Sequence, residues 1–119
     1  ANERFAELCP NLRIDGLKRF GTSFGPMIRD EVRRESRTIE RMSASEKQAY
    51  LLALYTARSP IVDSLVLIDA PEIGFGDVGA VSLVRALLRW TSRTQLLVAT
   101  ASDAVCQMPE AAHVVELRG

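Results

Sequence analysis

Several classes of protein are excluded by what this chain lacks. No apolar run in its 119 residues approaches the roughly 18 that a membrane-spanning helix needs. Only two cysteines are present, Cys9 and Cys106. They are too few for a disulfide framework and have no metal-ligand spacing, so a reduced, cytoplasmic setting is expected. Fifteen basic and fifteen acidic residues cancel. Net charge therefore gives no argument for nucleic acid or an anionic membrane. The start shows no signal-peptide pattern, and it is Ala1 rather than Met, as expected of a processed chain, a trimmed one or a fragment. The single histidine, His113, reads as structural.

What is present is ordinary in bulk and informative in order. Hydrophobic residues make up 47% and charged residues 25%, the balance of one globular domain. We expect a single domain over 1–119, with strands and loops in 1–41 and an α/β lobe in 42–119. Residues 1–41 hold nine basic and seven acidic residues, and the remainder is more apolar. Ala1–Leu8 reads as a short helix and Leu12–Asp15 as a short strand. Gly16–Pro26, with three glycines, reads as loop or hairpin. Ile28 and Val32 fall on a possible further strand. Arg33, Arg34, Arg37 and Arg41 are interleaved with Glu31, Glu35 and Glu40, the pattern of a solvated face.

Beyond residue 42 the periodicity sharpens. Ser43–Arg58 is rich in helix formers, with Leu51, Leu54 and Tyr55 at helical spacing. Ser59-Pro60 stops it. Ser64–Asp69 reads as a strand. A helix opens at Asp77 or Gly79 and runs to about Thr91, with Val81, Val84, Leu87 and Leu88 on its apolar face. Gln95–Thr100 reads as a second strand, Ser102–Gln107 as a short helix and His113–Leu117 as a third strand. Alternating helices and strands make a parallel α/β sheet the expected architecture.

Three segments carry possible chemistry. Leu65–Asp69 is a buried-type strand with a carboxylate at its C-terminal end, where ligands bind in open α/β sheets. Asp69 there is a candidate Mg²⁺ ligand beside nucleotide phosphates, or simply a turn aspartate. Ser43-Ala44-Ser45-Glu46 opens a helix. Its exposed amides and dipole suit an anion, and Ser43-x-x-Glu46 is also a capping box. Leu96–Ser102 is a core-type strand ending Thr100-Ala101-Ser102.

Taken in order over Glu40–Leu117, these segments resemble the C-terminal part of an ABC-type P-loop ATPase, in particular the soluble group related to DNA-repair and anti-phage ATPases. That family's Walker B strand ends Asp-Glu-Pro-Glu, against Asp69-Ala70-Pro71-Glu72 here. Its signature reads Leu-Ser-x-Gly-Glu/Gln, against Met42-Ser43-Ala44-Ser45-Glu46. Its switch strand ends Thr-His-Ser, against Thr100-Ala101-Ser102. Its D-loop ends Leu-His-Pro, against Phe75-Gly76-Asp77 in the segment Ile73–Asp77. The resemblance implies the C-terminal half of a P-loop NTPase fold, with a less regular N-terminal part in which a β-hairpin is one option.

It also implies ATP and Mg²⁺ as cofactors, contacted by Ser43, Ala44, Ser45 and Asp69, with Asp69 as metal ligand. The implied partners are a phosphate-loop-bearing N-terminal lobe or chain and a second ATPase subunit, identical or different. Nucleic acid would enter only through the wider assembly. The departures matter: the water-activating glutamate and switch histidine of the family fall at Ala70 and Ala101, so the site reads as catalytically degenerate, with Glu72 as a candidate substitute base. No Gly-x-x-x-x-Gly-Lys-Ser/Thr loop occurs; Gly16–Ser23 has the glycine spacing without the lysine. Two alternatives stand beside this reading. One is a receiver-like signalling domain with Asp69 as phospho-acceptor and Thr100 as switch hydroxyl. The other is a non-catalytic scaffold.

Overall fold

In the N-terminal strands, alternating side chains build a hairpin longer than the expected short strand and loop. The structure, a computed structural model, describes residues 1–117. It divides into two compact units, Ala1–Ile61 and Val62–Gly119. The helix expected to travel with the C-terminal part therefore groups with the N-terminal strands.

The first unit opens with α1 (Asn2–Leu8), followed by β1 (Leu12–Phe20), β2 (Ser23–Asp30) and β3 (Glu35–Thr38) in one antiparallel sheet of order β1-β2-β3. Leu12 stands opposite Asp30 and Phe20 opposite Ser23, with a register shift between Ile14 and Leu17. The hairpin closes through Gly21-Thr22, and the region read as loop or hairpin is a hairpin. Val32 is not on a strand. It is exposed in the turn joining β2 to β3, because Asp30 caps that turn by accepting the Val32 and Arg33 amides at 3.0 and 2.9 Å. A 3₁₀ turn at Ile39–Arg41 leads to α2 (Ala44–Arg58).

The core of this unit forms where α1, α2 and the sheet supply large apolar groups. Phe5 and Ile28 are fully buried. Phe5 meets Tyr50 edge to face, ring centroids 5.9 Å apart at 81°, a favoured aromatic geometry. Asn2 fastens α1 to β1: its amide nitrogen donates to the Ile14 carbonyl at 3.0 Å and its amide oxygen accepts the Ile14 N–H at 2.7 Å. The buried stripe of α2 is Ala49, Tyr50, Ala53 and Thr56. It lies one position away from the expected stripe: Leu51 and Tyr55 are exposed. The inward face thus pairs two small alanines with the Tyr50 ring that meets Phe5, and it is not the most apolar face of the helix.

The second unit contains two strands that run the same way. Two-residue strands β4 (Ile61–Val62) and β6 (Thr91–Ser92) pair with each other, and each leads into a longer strand, β5 (Leu65–Asp69) and β7 (Gln95–Ala99). Between short and long strand the backbone turns through the left-handed region, at Asp63 (φ 51°) and at Arg93 (φ 48°). Those two residues also form a two-point ion pair of 2.5 and 3.0 Å. β5 and β7 are parallel, with Leu65 beside Gln95 and Asp69 beside Ala99. The connection is α3 (Pro71–Trp90), as a parallel crossover requires.

This α3 starts earlier than expected, at Pro71, whose missing N–H and fixed φ suit a first turn. Gly76 then breaks it with φ 71°, ψ 178°, a conformation open to glycine and costly for other residues. The helix resumes at Asp77, where one of the expected starts lies. Helix α4 (Asp103–Cys106) follows, with the Ser102 hydroxyl capping it from Val105 N–H. Ala80, Val84, Val105 and Met108 form the core with Ile68, Leu96 and Val98 packed against them.

The third strand expected at His113–Leu117 does not form. Residues 113–117 are exposed and pair with nothing in the sheet. β-propensity alone does not make a strand: both outer edges of the two-stranded β5–β7 sheet are open among the described residues, yet 113–117 pairs with neither. The expected parallel α/β arrangement is thus present as two principal strands rather than three. No helix among the described residues is long and apolar enough to cross a membrane.

Candidate functional site

Asp69 is delivered by β5 to its C-terminal end, where the chain leaves the sheet. The carboxylate is exposed and accepts no hydrogen bond or ion pair among the described residues. The next residue, Ala70, adopts φ 48°, ψ 57°. That left-handed step costs an alanine about 1–2 kcal/mol. Its amide donates to the Ala99 carbonyl at 2.7 Å, and its carbonyl accepts the Ile73 N–H at 3.1 Å. The turn therefore joins the ends of the two parallel strands and starts α3 in a few residues.

Glu72 lies one turn on. Its carboxylate is fully engaged by the other strand end. The Thr100 hydroxyl donates to Oε2 at 2.6 Å and the Ala101 amide donates to Oε1 at 2.8 Å. The Thr100 oxygen in turn accepts the Ser102 amide at 3.0 Å. The Thr100 hydroxyl first, then the Ala101 and Glu72 amides, hold the Glu72 carboxyl below its ordinary range. A carboxylate so satisfied is a weak base, so the substitute role is open to Glu72 only if the bridge opens. Thr100, given the switch role in a receiver-like domain, spends its hydroxyl on Glu72.

In the first unit, the start of α2 carries Ser43, Ala44 and Ser45. Ser43 forms the complete capping box: its hydroxyl accepts the Glu46 amide at 3.2 Å and its amide donates to Glu46 Oε1 at 2.8 Å. The Lys47 amide bonds the Ser43 carbonyl at 2.9 Å. Within this first turn, the Ala44 and Ser45 amides have no bond among the described residues, as two of the four orphan donors of a helix start. The Ser45 hydroxyl sits 3.2 Å from that of Ser43, so the serine at the family's glycine position is held against the cap.

The capping glutamate is also braced from the sheet. Arg37 reaches Glu46 at 3.4 Å and Asp30 at 3.1 Å, and its side chain is mostly buried. The Arg33 amide first, then the Val32 amide and the Arg37 and Arg33 charges, lower the Asp30 carboxyl against some burial. Beside this cluster the Cys9 thiol is pushed up to about 11, by burial and then by Glu46, so it stays protonated at neutral pH. A cleft of about 320 Å³ lies here, lined by Cys9, Leu12, Asp30, Val32, Arg33 and Glu46 among others.

No group of three or more metal-ligating side chains exists among the described residues. The donor set fits a Mg²⁺ ion only in the manner of nucleotide sites, where one carboxylate and water complete a sphere whose other ligands are phosphates. Asp69 has the free oxygens for that; Glu72 does not.

Sequence reading missed two features. The first is the Glu72–Thr100 bridge, whose partners are 28 residues apart and meet only through the parallel pairing of β5 and β7. The second is one bare sheet face. Leu65, Leu67 and Leu97 project from β5 and β7 with 60%, 68% and 59% of their surfaces exposed. The signal for it was present: β5 is apolar at four successive positions, as in strands covered on both sides.

No family model matches the sequence, and no curated protein does. Among solved structures, a chain from the structural biochemistry of ATP-driven dimerization and DNA-stimulated activation of SMC ATPases matches with a TM-score of 0.57 and 20% identity. The match covers 88% of this chain and 66% of that chain, so part of the SMC ATPase has no counterpart here. What this chain shares with that ATPase is its fold.

Proposed function

We propose that this chain is an ATPase-like nucleotide-binding lobe that works only when a phosphate-loop-bearing lobe covers the bare face of β5 and β7. The observation that carries the reading is the combination, on one two-stranded parallel sheet, of a free Asp69 carboxylate at the strand end and three exposed leucines on one face. Parallel strands are almost always covered on both faces, and two strands alone are marginal. The likeness to an SMC ATPase, which extends beyond the matched part, supplies the class of the missing layer. In the covered state Asp69 holds Mg²⁺ beside the phosphates brought by the other lobe. The Ala44 and Ser45 amides at the start of α2 face the phosphates of a nucleotide held by a second subunit.

Hydrolysis is impaired in this reading. Phosphoryl transfer to water requires a positioned water and charge stabilisation, and Ala70 and Ala101 offer neither a base nor a donor side chain. The lobe then serves as a nucleotide-dependent dimerisation element or as the silent half of an unequal pair.

The test uses a fluorescent ATP analogue with Mg²⁺, added to the chain alone and to the complex with its phosphate-loop partner, found by intact mass of copurifying chains. Binding is expected only in the complex, and Asp69→Asn should weaken its Mg²⁺ dependence. Ala70→Glu should raise turnover in that complex. Absence of binding in the complex would remove the nucleotide reading and leave the scaffold, whereas equal, Mg²⁺-independent binding by wild type and Asp69→Asn would remove Asp69 as the metal ligand.

A further inference from the structure

We propose that the tip of the β1–β2 hairpin binds single-stranded nucleic acid, with Phe24 and Phe20 stacking on bases and Lys18 and Arg19 holding phosphates. The inference is independent of the nucleotide-site proposal. It starts from a local imbalance inside a neutral chain: from Gly16 to Arg29 there are three basic residues and no acidic one. Neither Lys18 nor Arg19 has an ion-pair partner among the described residues. Arg13 and Arg37, at the base of the sheet, do. Arg13 lies 3.7 Å from Asp15 and 3.5 Å from Glu31, while Arg37 is tied to Asp30 and Glu46. Within the arginine-rich segment that sequence would nominate for phosphate, Arg33 and Arg37 are thus paired with carboxylates, whereas Lys18 and Arg19 at the tip carry no counter-ion among the described residues. Arg19 Nε donates to the Gly21 carbonyl at 2.7 Å and leaves its terminal nitrogens for an anion.

The tip is also apolar where a hairpin end is normally polar. Leu17 and Phe24 are 73% and 69% exposed, and Phe20 is partly so. Register sets the two faces. Arg19 pairs with Phe24, placing a guanidinium beside an open ring on one side; Lys18 and Phe20 share the other. There the Lys18 ammonium stands 5.9 Å over the Phe20 ring, which lies across Gly25, where a methyl group would come within 3.3 Å of the ring. The ring is thus seated on backbone, and each face offers one cation with one aromatic.

Several anionic partners would satisfy Lys18 and Arg19. An acidic peptide leaves the Phe24 ring and Leu17 without apolar cover. A duplex keeps its bases stacked on each other. A single strand presents phosphates for the cations and open base faces for the rings, the pairing that sequence-tolerant single-strand binders use. With two cations engaged, the affinity is modest and strongly salt-dependent.

The experiment is fluorescence anisotropy of a labelled oligo(dT) titrated with the full chain at two salt concentrations. Binding is expected to be saturable and competed by unlabelled single strand. Phe24→Ala should weaken it roughly 5- to 150-fold, the range given by the loss of one stacked base. Lys18→Gln should lower the slope of log K against log salt by about 0.7. Both side chains are exposed, and an unchanged circular dichroism spectrum checks that each variant folds. Phe24→Trp should retain binding, with its new emission quenched by the oligonucleotide. Absence of binding at low salt overturns the proposal. So does wild-type affinity in Phe24→Ala, or equal competition by polyglutamate or by duplex, because each reduces the tip to unspecific charge.

Discussion

The two units treat their apolar side chains in opposite ways. In Ala1–Ile61, Phe5, Ile28, Ala49 and Ala53 are sealed between α1, α2 and the antiparallel sheet. In Val62–Gly119, helices cover one side of β5 and β7 and the leucines of the other side stay wet. The difference follows from strand direction. An antiparallel sheet can leave one face to water by alternating polar residues, whereas a crossover-connected parallel pair is built from continuous apolar runs and has nothing polar to present. The first unit thus closes its own core, while the second leaves one apolar sheet face exposed.

The largest effect that would sharpen this contrast is Phe5→Ala. Removing a fully buried ring should cost about 3–5 kcal/mol, read as a lower urea midpoint by circular dichroism. The matching change on the open face, Leu67→Asn, should shift the stability of the chain alone by less than about 0.5 kcal/mol. In complex with a phosphate-loop lobe it should weaken association by about 1.5–3 kcal/mol, measured by calorimetric titration. A loss of stability in the isolated chain comparable to Phe5→Ala would show the face to be already covered.

Smaller still is the capping box. Ser43→Ala should cost about 1 kcal/mol and lower helicity at the start of α2, whereas Ser43→Asp should retain most of the stability. The subtlest is a pH effect on the Glu72–Thr100 bridge. Because the folded carboxyl is held below its ordinary value, the stabilisation is complete above the unfolded pKa of about 4.3. It is lost as pH falls through the lower folded value. Glu72→Gln should flatten the acid limb of stability against pH, and an unaltered limb would place the bridge outside the native state.

Local signals were legible in sequence. Ser43-x-x-Glu46 announced its cap, and the run ending in Asp69 announced its strand and the exposed end. The α3 start was readable only from Asp77 because Gly76 hides a preceding helical turn from periodicity. The rest depended on tertiary geometry. Tyr55 has the spacing of an inward residue, yet Ala49, Tyr50, Ala53 and Thr56 take the inward face. His113–Leu117 has strand composition but joins neither open edge of the β5–β7 sheet. Glu72, nominated as a base, is committed to a partner that no local pattern could identify. The SMC ATPase likeness supports the α/β lobe; the roles of Asp69, Ser43, Ala44 and Ser45 remain the proposals made above.

The left-handed turn at Ala70 has a consequence for how this lobe can change over time. The backbone there already bears the strain of that turn, anchored by the Ala99 carbonyl, whichever side chain stands on it. Alanine and glutamate codons can differ by a single base. An acidic group beside Asp69 is therefore one mutation away and needs no remodelling of the backbone turn that would carry it.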